Sequence, residues 1–153
     1  MSDTDRVFVR ECLTLKRRVE MEMHEVVFNL NKALQLEYSD VFLYPREAKL
    51  IEDRSIASIF ENFGLMEIRH ADLLARRILE LNGKPVWDFS LLEDKKELKD
   101  IIDRHIDYEQ RAISFYGKLI PEVDEETKII LRGIKAEEEE HLATLKEFTS
   151  KTK

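Results

Sequence analysis

Four long stretches of this chain repeat an apolar residue at steps of three and four, the period of an α-helix with one face turned inward. Residues 19–44 carry Val27, Leu30, Leu34, Val41 and Tyr44 on one stripe. Residues 53–81 carry Ile56, Phe60, Phe63, Leu74, Ile78 and Leu81. Residues 94–119 carry Ile102, His105 or Ile106, Ala112 or Ile113, and Tyr116, and residues 124–148 carry Leu131, Ile134, Leu145 and Phe148. Strands cannot sustain that period. Little interrupts it, because the 153 residues include only four glycines and three prolines. Pro45 is expected to end or kink the first long helix. Asn82-Gly83-Lys84-Pro85 is expected to stop the second.

The longest non-helical stretch, "NGKPVWDFSLLE" at 82–93, is long enough to run back along a helix. Fully extended it reaches on the order of 40 Å, the length of a helix of about 25 residues. Trp87, Phe89, Leu91 and Leu92 give it apolar groups to lay on the bundle side. The expected architecture is all-α: a four-helix bundle over 19–148 in one domain, made of two hairpins joined by a long crossover. A short extra helix is expected at 4–18, capped by Asp3 or Thr4, within an N-terminal extension over 1–18. Glu93 and Asp94 are expected at the positive end of the third helix, and the tail at 149–153 is expected to fray.

Charge narrows the partners. The net charge is −7, and no basic stripe stands out, so nucleic acid is not an expected partner. An acidic surface suits a protein that attracts cations. Cys12 is the only cysteine, which excludes an intramolecular disulfide and cysteine-rich metal knuckles. No apolar run approaches a membrane span, and "MSDTDRVFVREC" has no signal-peptide core, so no membrane association and a cytoplasmic location are expected.

The stripes are broken by charge at matching places. Glu37 sits alone on the first stripe and Glu109 alone on the third. Glu67 and His70 share the second, inside "LMEIRHADLL". In "KAEEEEHLATL" four glutamates precede a histidine, and only Glu138 lies on the stripe, three residues before His141. Each half of the chain thus holds a lone inward glutamate followed by a Glu-x-x-His helix. Unpaired carboxylates in a bundle core cost several kcal/mol each, and four together repel. Two divalent cations would balance them, and carboxylate with imidazole suits iron, manganese or zinc. One glutamate from each of two helices plus Glu-x-x-His from the other two is a dinuclear carboxylate pattern.

At this point the chain resembles the ferritin-like diiron superfamily over about residues 25–148. "NLNKALQLEYSDVFLY" and "EIRHADLLARRILELNGKP" resemble the first two helices of bacterioferritin. "IDYEQRAISFYGKL" and "AEEEEHLATLKEF" resemble helices of rubrerythrin-type domains. The resemblance implies two iron ions, with manganese or a mixed pair as alternatives. Glu67 and Glu138 would bridge them, and Glu37, Glu109, His70 and His141 would be terminal ligands. It implies a non-haem protein that oxidises ferrous iron with dioxygen or peroxide, in iron handling and oxidative defence. A rubrerythrin-like peroxidase fed by an external electron carrier is the alternative, followed by a structural dimetal bundle and an oxygenase.

Four departures bear on this. Ile68 stands where bacterioferritin has its haem-binding methionine, and Met66 is expected to face elsewhere, so no haem is expected. Ile106 and Ala112 occupy the positions where rubrerythrin would add a seventh carboxylate. One cysteine cannot supply a rubredoxin module. Only twelve residues follow His141, too few for the fifth helix of a ferritin cage, so a homodimer or small homo-oligomer is expected. Tyr44 is the candidate catalytic residue beside the metals, as a hydrogen-bond donor or electron relay, and Tyr116 is a weaker one. His105 is expected to be partly exposed, with a role behind the ligands as the alternative. His24 is expected at a surface or interface. Asp72 is expected either to orient a histidine or arginine, or to be solvated.

Overall fold

The computed structural model describes residues 3–89, 93 and 95–151, and only the backbone of 3–12, 14, 17–21, 150 and 151. Four helices fill it: α1 over Asp3–Ala48, α2 over Arg54–Glu80, α3 over Leu98–Leu119 and α4 over Glu125–Lys151. α1 packs chiefly on α2, and α3 on α4, through short connections that make each pair an antiparallel hairpin. The second hairpin turns through a short 3-10 segment, Ile120–Glu122. This is the expected four-helix bundle with one long crossover.

The N-terminal boundary is corrected. No separate short helix precedes the bundle, because α1 runs unbroken from Asp3 to Ala48. The junction expected near residue 18 lies in "LKRRVEME", where no residue breaks a helix and most favour one. The capping side chains proposed there, Asp3 and Thr4, and the side chain of Cys12 lie outside the described residues. The other end of α1 is corrected as well. Pro45 lies inside the helix, which continues for three more residues. Pro45 falls in the last turn, where losing one N–H bond removes little.

The remaining ends follow from local chemistry. The Asp53 side chain caps α2 by accepting from the Ser55 and Ile56 amides at 2.8 and 3.3 Å. At its C-terminus, Asn82 takes the left-handed conformation with φ 58. The Gly83 amide then donates to Ile78 O at 2.8 Å, and the Asn82 amide to Leu79 O at 2.9 Å, a Schellman closure. Gly83 serves space rather than handedness, since a Cβ there would come within 2.6 Å of Val27. α3 begins four residues later than expected, so Glu93 is not in its first turn, and Asp94 lies outside the described residues. α4 continues past 148 to Lys151, with the Thr149 hydroxyl donating to Leu145 O at 3.3 Å, so residues 149–151 of the expected tail are helical.

The crossover lies along α1. Asn31 reads its backbone, donating to Lys84 O at 3.1 Å and accepting from the Val86 amide at 2.8 Å. Trp87 stacks on Tyr38 with ring centroids 4.6 Å apart, yet stays 79% exposed. Phe89 meets Phe42 at 5.0 Å. The aromatics therefore rest on α1 rather than sinking into the core, and Leu91 and Leu92 lie outside the described residues.

The core comes in two parts. Leu30, Leu34, Leu74, Ile78, Tyr116, Leu131 and Ile134 pack toward one end. Tyr44, Phe60, Phe63, Ile101, Ile102, Leu145 and Phe148 pack toward the other. Between them runs a layer of buried charge at mid-helix, the place where the apolar stripes are interrupted. Arg77 ties the first end together: buried, it donates to Thr127 and Asp124 at 2.8 Å each, fastening the end of α2 to the start of α4.

Candidate metal centre

The mid-helix layer brings together all six residues that the stripes turn inward. Glu37 comes from α1, Glu67 and His70 from α2, Glu109 from α3, and Glu138 and His141 from α4, each buried to within 2%. They form two overlapping groups of four, each with one ligand atom per residue and all such atoms within 4.8 Å of one another. One group is Glu37, Glu67, His70 and Glu138, and the other is Glu67, Glu109, Glu138 and His141. Glu67 and Glu138 belong to both. His70 Nδ1 lies 2.9 Å from Glu138, 3.0 Å from Glu67 and 3.3 Å from Glu37. His141 Nδ1 lies 3.0 Å from Glu138, 3.1 Å from Glu67 and 3.5 Å from Glu109.

These distances are short, but the angles do not match them. Glu67 Oε1, both Glu138 oxygens and His141 Nδ1 are fully buried and make no directed hydrogen bond. One imidazole N–H can point at only one of three surrounding oxygens, so the rest go unsatisfied. Buried polar atoms left without partners are costly and call for an explanation. Atoms from four helices that aim at a common point rather than at each other suit a cation, which accepts several oxygens and a nitrogen at once.

Without a cation, protons must balance the layer. Burial pulls the His141 imidazole down, but bonds to Glu109, Glu138 and Glu67 outweigh it and push its pKa up to about 12. His70 is held well above the usual range in the same way, by Glu138, Glu37 and Glu67 against burial. Burial is the main cause that raises Glu37 to about 8, with His70 opposing and Glu67 reinforcing it. Burial likewise raises Glu109.

Two tyrosines close the layer crosswise. The fully buried Tyr44 donates to Glu109 Oε1, and the fully buried Tyr116 donates to Glu37 Oε1. Each stands seven residues after the lone glutamate of its own helix and reaches the glutamate of the other half. Burial raises both phenols well above their usual pKa, and the neighbouring carboxylates add to it, so they remain donors.

A family model for the ferritin-like domain matches residues 29–153, which includes all six residues. The chain belongs to the ferritin-like family. No curated protein sequence matches it. Among solved structures, a bacterioferritin with a diiron site from Desulfovibrio desulfuricans superposes with a TM-score of 0.80 at 24% identity, over 86% of this chain and 81% of that one. A dodecameric thioferritin from Bacteroides fragilis, a bacterioferritin-related protein, gives 0.79 at 25% identity over 90% and 94%. A ferritin-like diiron-carboxylate protein from Bacillus anthracis gives 0.78 at 22% identity over 83% and 96%.

Beside the layer, this ferritin-like chain holds a second polar cluster. His105 is fully buried, not partly exposed as its place in the sequence suggested. Its Nε2 lies 2.5 Å from Glu47, which is buried and also bonded by Arg104. Its ring stacks on Tyr44 with centroids 3.9 Å apart. Its Nδ1 faces Asp40 at 3.8 Å, too far for a hydrogen bond. Glu47 was missed because Pro45 was expected to end the helix, and Asp40, inside the expected helix, was missed because it lies at the edge of the apolar stripe. With α1 continuing, Glu37, Asp40, Tyr44 and Glu47 recur at steps of three and four on one face. Glu137 was missed as well, and it meets His70 Nε2 at 2.8 Å.

The remaining candidates lie on the surface. Asp72 pairs with Arg76 at 2.9 Å, and both are exposed. His24 is exposed. Ile68 is 52% exposed. Among the described residues, no helix is long and apolar enough to cross a membrane.

Proposed function

We propose that this chain binds two iron ions in the buried layer and oxidises ferrous iron with dioxygen or peroxide. The observation that carries the reading is the convergence of four carboxylates and two imidazoles, with Glu67 Oε1, both Glu138 oxygens and His141 Nδ1 lacking directed partners. In this reading Glu67 and Glu138, shared by both groups, would serve both ions, Glu37 and His70 would complete one position, and Glu109 and His141 the other. The bound irons would supply the redox chemistry, for which two electrons and two protons take one peroxide to two waters.

The chain's own residues set the conditions. Each imidazole must present the Nδ1 lone pair, so it gives up a proton on loading. Tyr116 holds Glu37 by Oε1 and leaves Oε2 toward His70, while Tyr44 holds Glu109 by Oε1, the oxygen that also faces His141, and both bonds keep the carboxylates from swinging. Phe60, Phe63, Leu34 and Leu131, all near-fully buried, keep bulk water from the layer. The ions, the oxidant and a homo-oligomeric assembly, such as a dimer, are the partners this reading requires. The Bacteroides fragilis relative is dodecameric, which supports self-association as part of the reading.

One observation favours a peroxidase that takes electrons from an external carrier. Asp40, three residues after Glu37, is the counterpart in the repeat of Ala112, and its buried Oδ1 makes no hydrogen bond. It places an extra carboxylate beside the layer from the other half of the molecule.

The deciding experiment loads the metal-free chain anaerobically with ferrous iron and mixes it with dioxygen and then peroxide in a stopped-flow instrument. Two irons per chain, fast oxidation and continued turnover with excess ferrous iron are expected. Two irons with no oxidation would point to a structural site. A response to peroxide alone that needs added reductant would favour the peroxidase.

Proton release provides an independent check. At pH 7 the metal-free chain holds protons on His70, His141 and largely on Glu37, whose pKa is about 8. Loading should release the two imidazole protons and a further carboxylate share at pH 7, so more than about two per chain, with the Glu37 share falling away above about pH 9 as that group is already ionised. A pH-indicator dye in weakly buffered solution measures this. Release of fewer than about one proton would mean that the imidazoles are not ligands.

A further inference from the structure

The internal repeat allows one half of the layer to be compared with the other. It relates Glu37 to Glu109, Tyr44 to Tyr116, Glu67 to Glu138 and His70 to His141, so the two positions ought to be alike. The correspondence fails at the residue before each shared glutamate, which is Glu137 in α4 and Met66 in α2. Each of these stands behind the imidazole of the opposite half. His70 Nε2 meets Glu137 Oε2 at 2.8 Å, and Arg69 pairs with Glu137 from the surface side. His141 Nε2 meets Met66 Sδ at 3.5 Å. Met66 therefore faces the layer, contrary to the sequence expectation.

The two backings differ in chemistry. A carboxylate behind a metal-bound imidazole takes its outer N–H, fixes the tautomer with the lone pair on Nδ1 and makes that nitrogen more basic. A thioether is a weak acceptor and does little of this. We infer, on the dimetal reading above, that the two positions hold their ions unequally: tightly at Glu37 and His70, loosely at Glu109 and His141. Glu137 is the positioning residue that sets the difference, Met66 marks the place where no such carboxylate stands, and the ion beside His141 is the one that exchanges.

The test titrates the metal-free full chain with cobalt(II), anaerobically, by calorimetry and visible absorbance. Two steps are expected, with dissociation constants separated roughly ten- to hundredfold, the usual effect of a partner behind a ligand. His141→Ala should retain the tight step and His70→Ala the weak one. Met66→Glu should tighten the weak step until the two merge, Met66→Leu should leave both unchanged, and Glu137→Gln should loosen the tight step. Far-UV circular dichroism confirms that each variant is folded. Two equal ions in the parent chain, unaffected by Met66→Glu, would overturn the inference while leaving the dimetal reading intact. So would a tight step that vanishes with His141→Ala and survives His70→Ala. Absence of two-ion binding in the parent chain would sink the dimetal reading and this inference with it.

Discussion

Glu138→Ala is expected to abolish stoichiometric binding of two ions and, with it, most of the thermal stabilisation that ions give. An ion present at one hundred to one thousand times its dissociation constant stabilises a folded chain by about 2.7–4.1 kcal/mol. In a domain of this size each kcal/mol moves the melting temperature by about 2–4 °C, so each bound ion should raise it by about 5–16 °C and loading of both by about twice that. Glu138 contributes to both groups of four, so its loss removes a ligand from each position at once. In the variant the loaded and metal-free melting temperatures should agree to within about 3 °C. The metal-free form should change less, because the lost carboxylate is also one of those repelling its neighbours. Glu67→Ala is expected to behave alike, since Glu67 has the same shared position. Glu37→Ala should spare the Glu109 position. Calorimetric melting with and without ferrous iron, with metal counted per chain, tests all three. Two tightly held ions in both Glu67→Ala and Glu138→Ala would sink the ligand assignment.

The selection of Glu138 from four consecutive glutamates shows what periodicity can resolve. Glu137, Glu139 and Glu140 differ from it only in angle around the helix, and the apolar stripe gives that angle. The same reasoning placed Glu37, Glu67, His70, Glu109 and His141 in one layer, because a charge on an apolar stripe in mid-helix has nowhere to go but inward. It failed at Glu137, which sits at the edge of the stripe, where a side chain can reach an imidazole on the neighbouring helix and still touch water. Edge positions read as solvated, and only contact between helices shows otherwise. His105 shared the third stripe's position with Ile106, and periodicity alone left the two tied. Its partner Glu47 lay beyond Pro45, and a proline in the final turn looks in sequence like a helix end. The continuity of α1 through residue 18 was hidden for a related reason: composition gives helix propensity but not where one amphipathic face hands over to another.

Glu47→Ala is expected to lower the melting temperature of the metal-free chain by an amount rarely seen for a charged residue outside the six-residue layer. Glu47 is 2% exposed and meets two cationic or cation-forming groups, Arg104 and the fully buried His105. Removing one partner of a buried ion pair costs about 3–5 kcal/mol, because the other charge stays behind unpaired. The Arg104 guanidinium cannot lose its proton to escape the loss. Arg104 keeps one bond, to Glu93 O at 2.5 Å, which places the cost toward the lower end. The expected fall is about 6–15 °C. Glu47→Gln, which keeps the size and an acceptor oxygen, should lose less. Glu47→Ala combined with Arg104→Met should recover part of the loss, and the non-additivity measures the pair directly. The effect should also reach the metal layer, because Tyr44 stacks on His105 and holds Glu109. A Glu47→Ala chain that melts within about 2 °C of the parent would mean that the cluster reaches water and carries no buried charge. If it melts far lower, the cluster is a lock: its charges keep Tyr44 aligned with Glu109, and the layer depends on a contact made one turn beyond the proline.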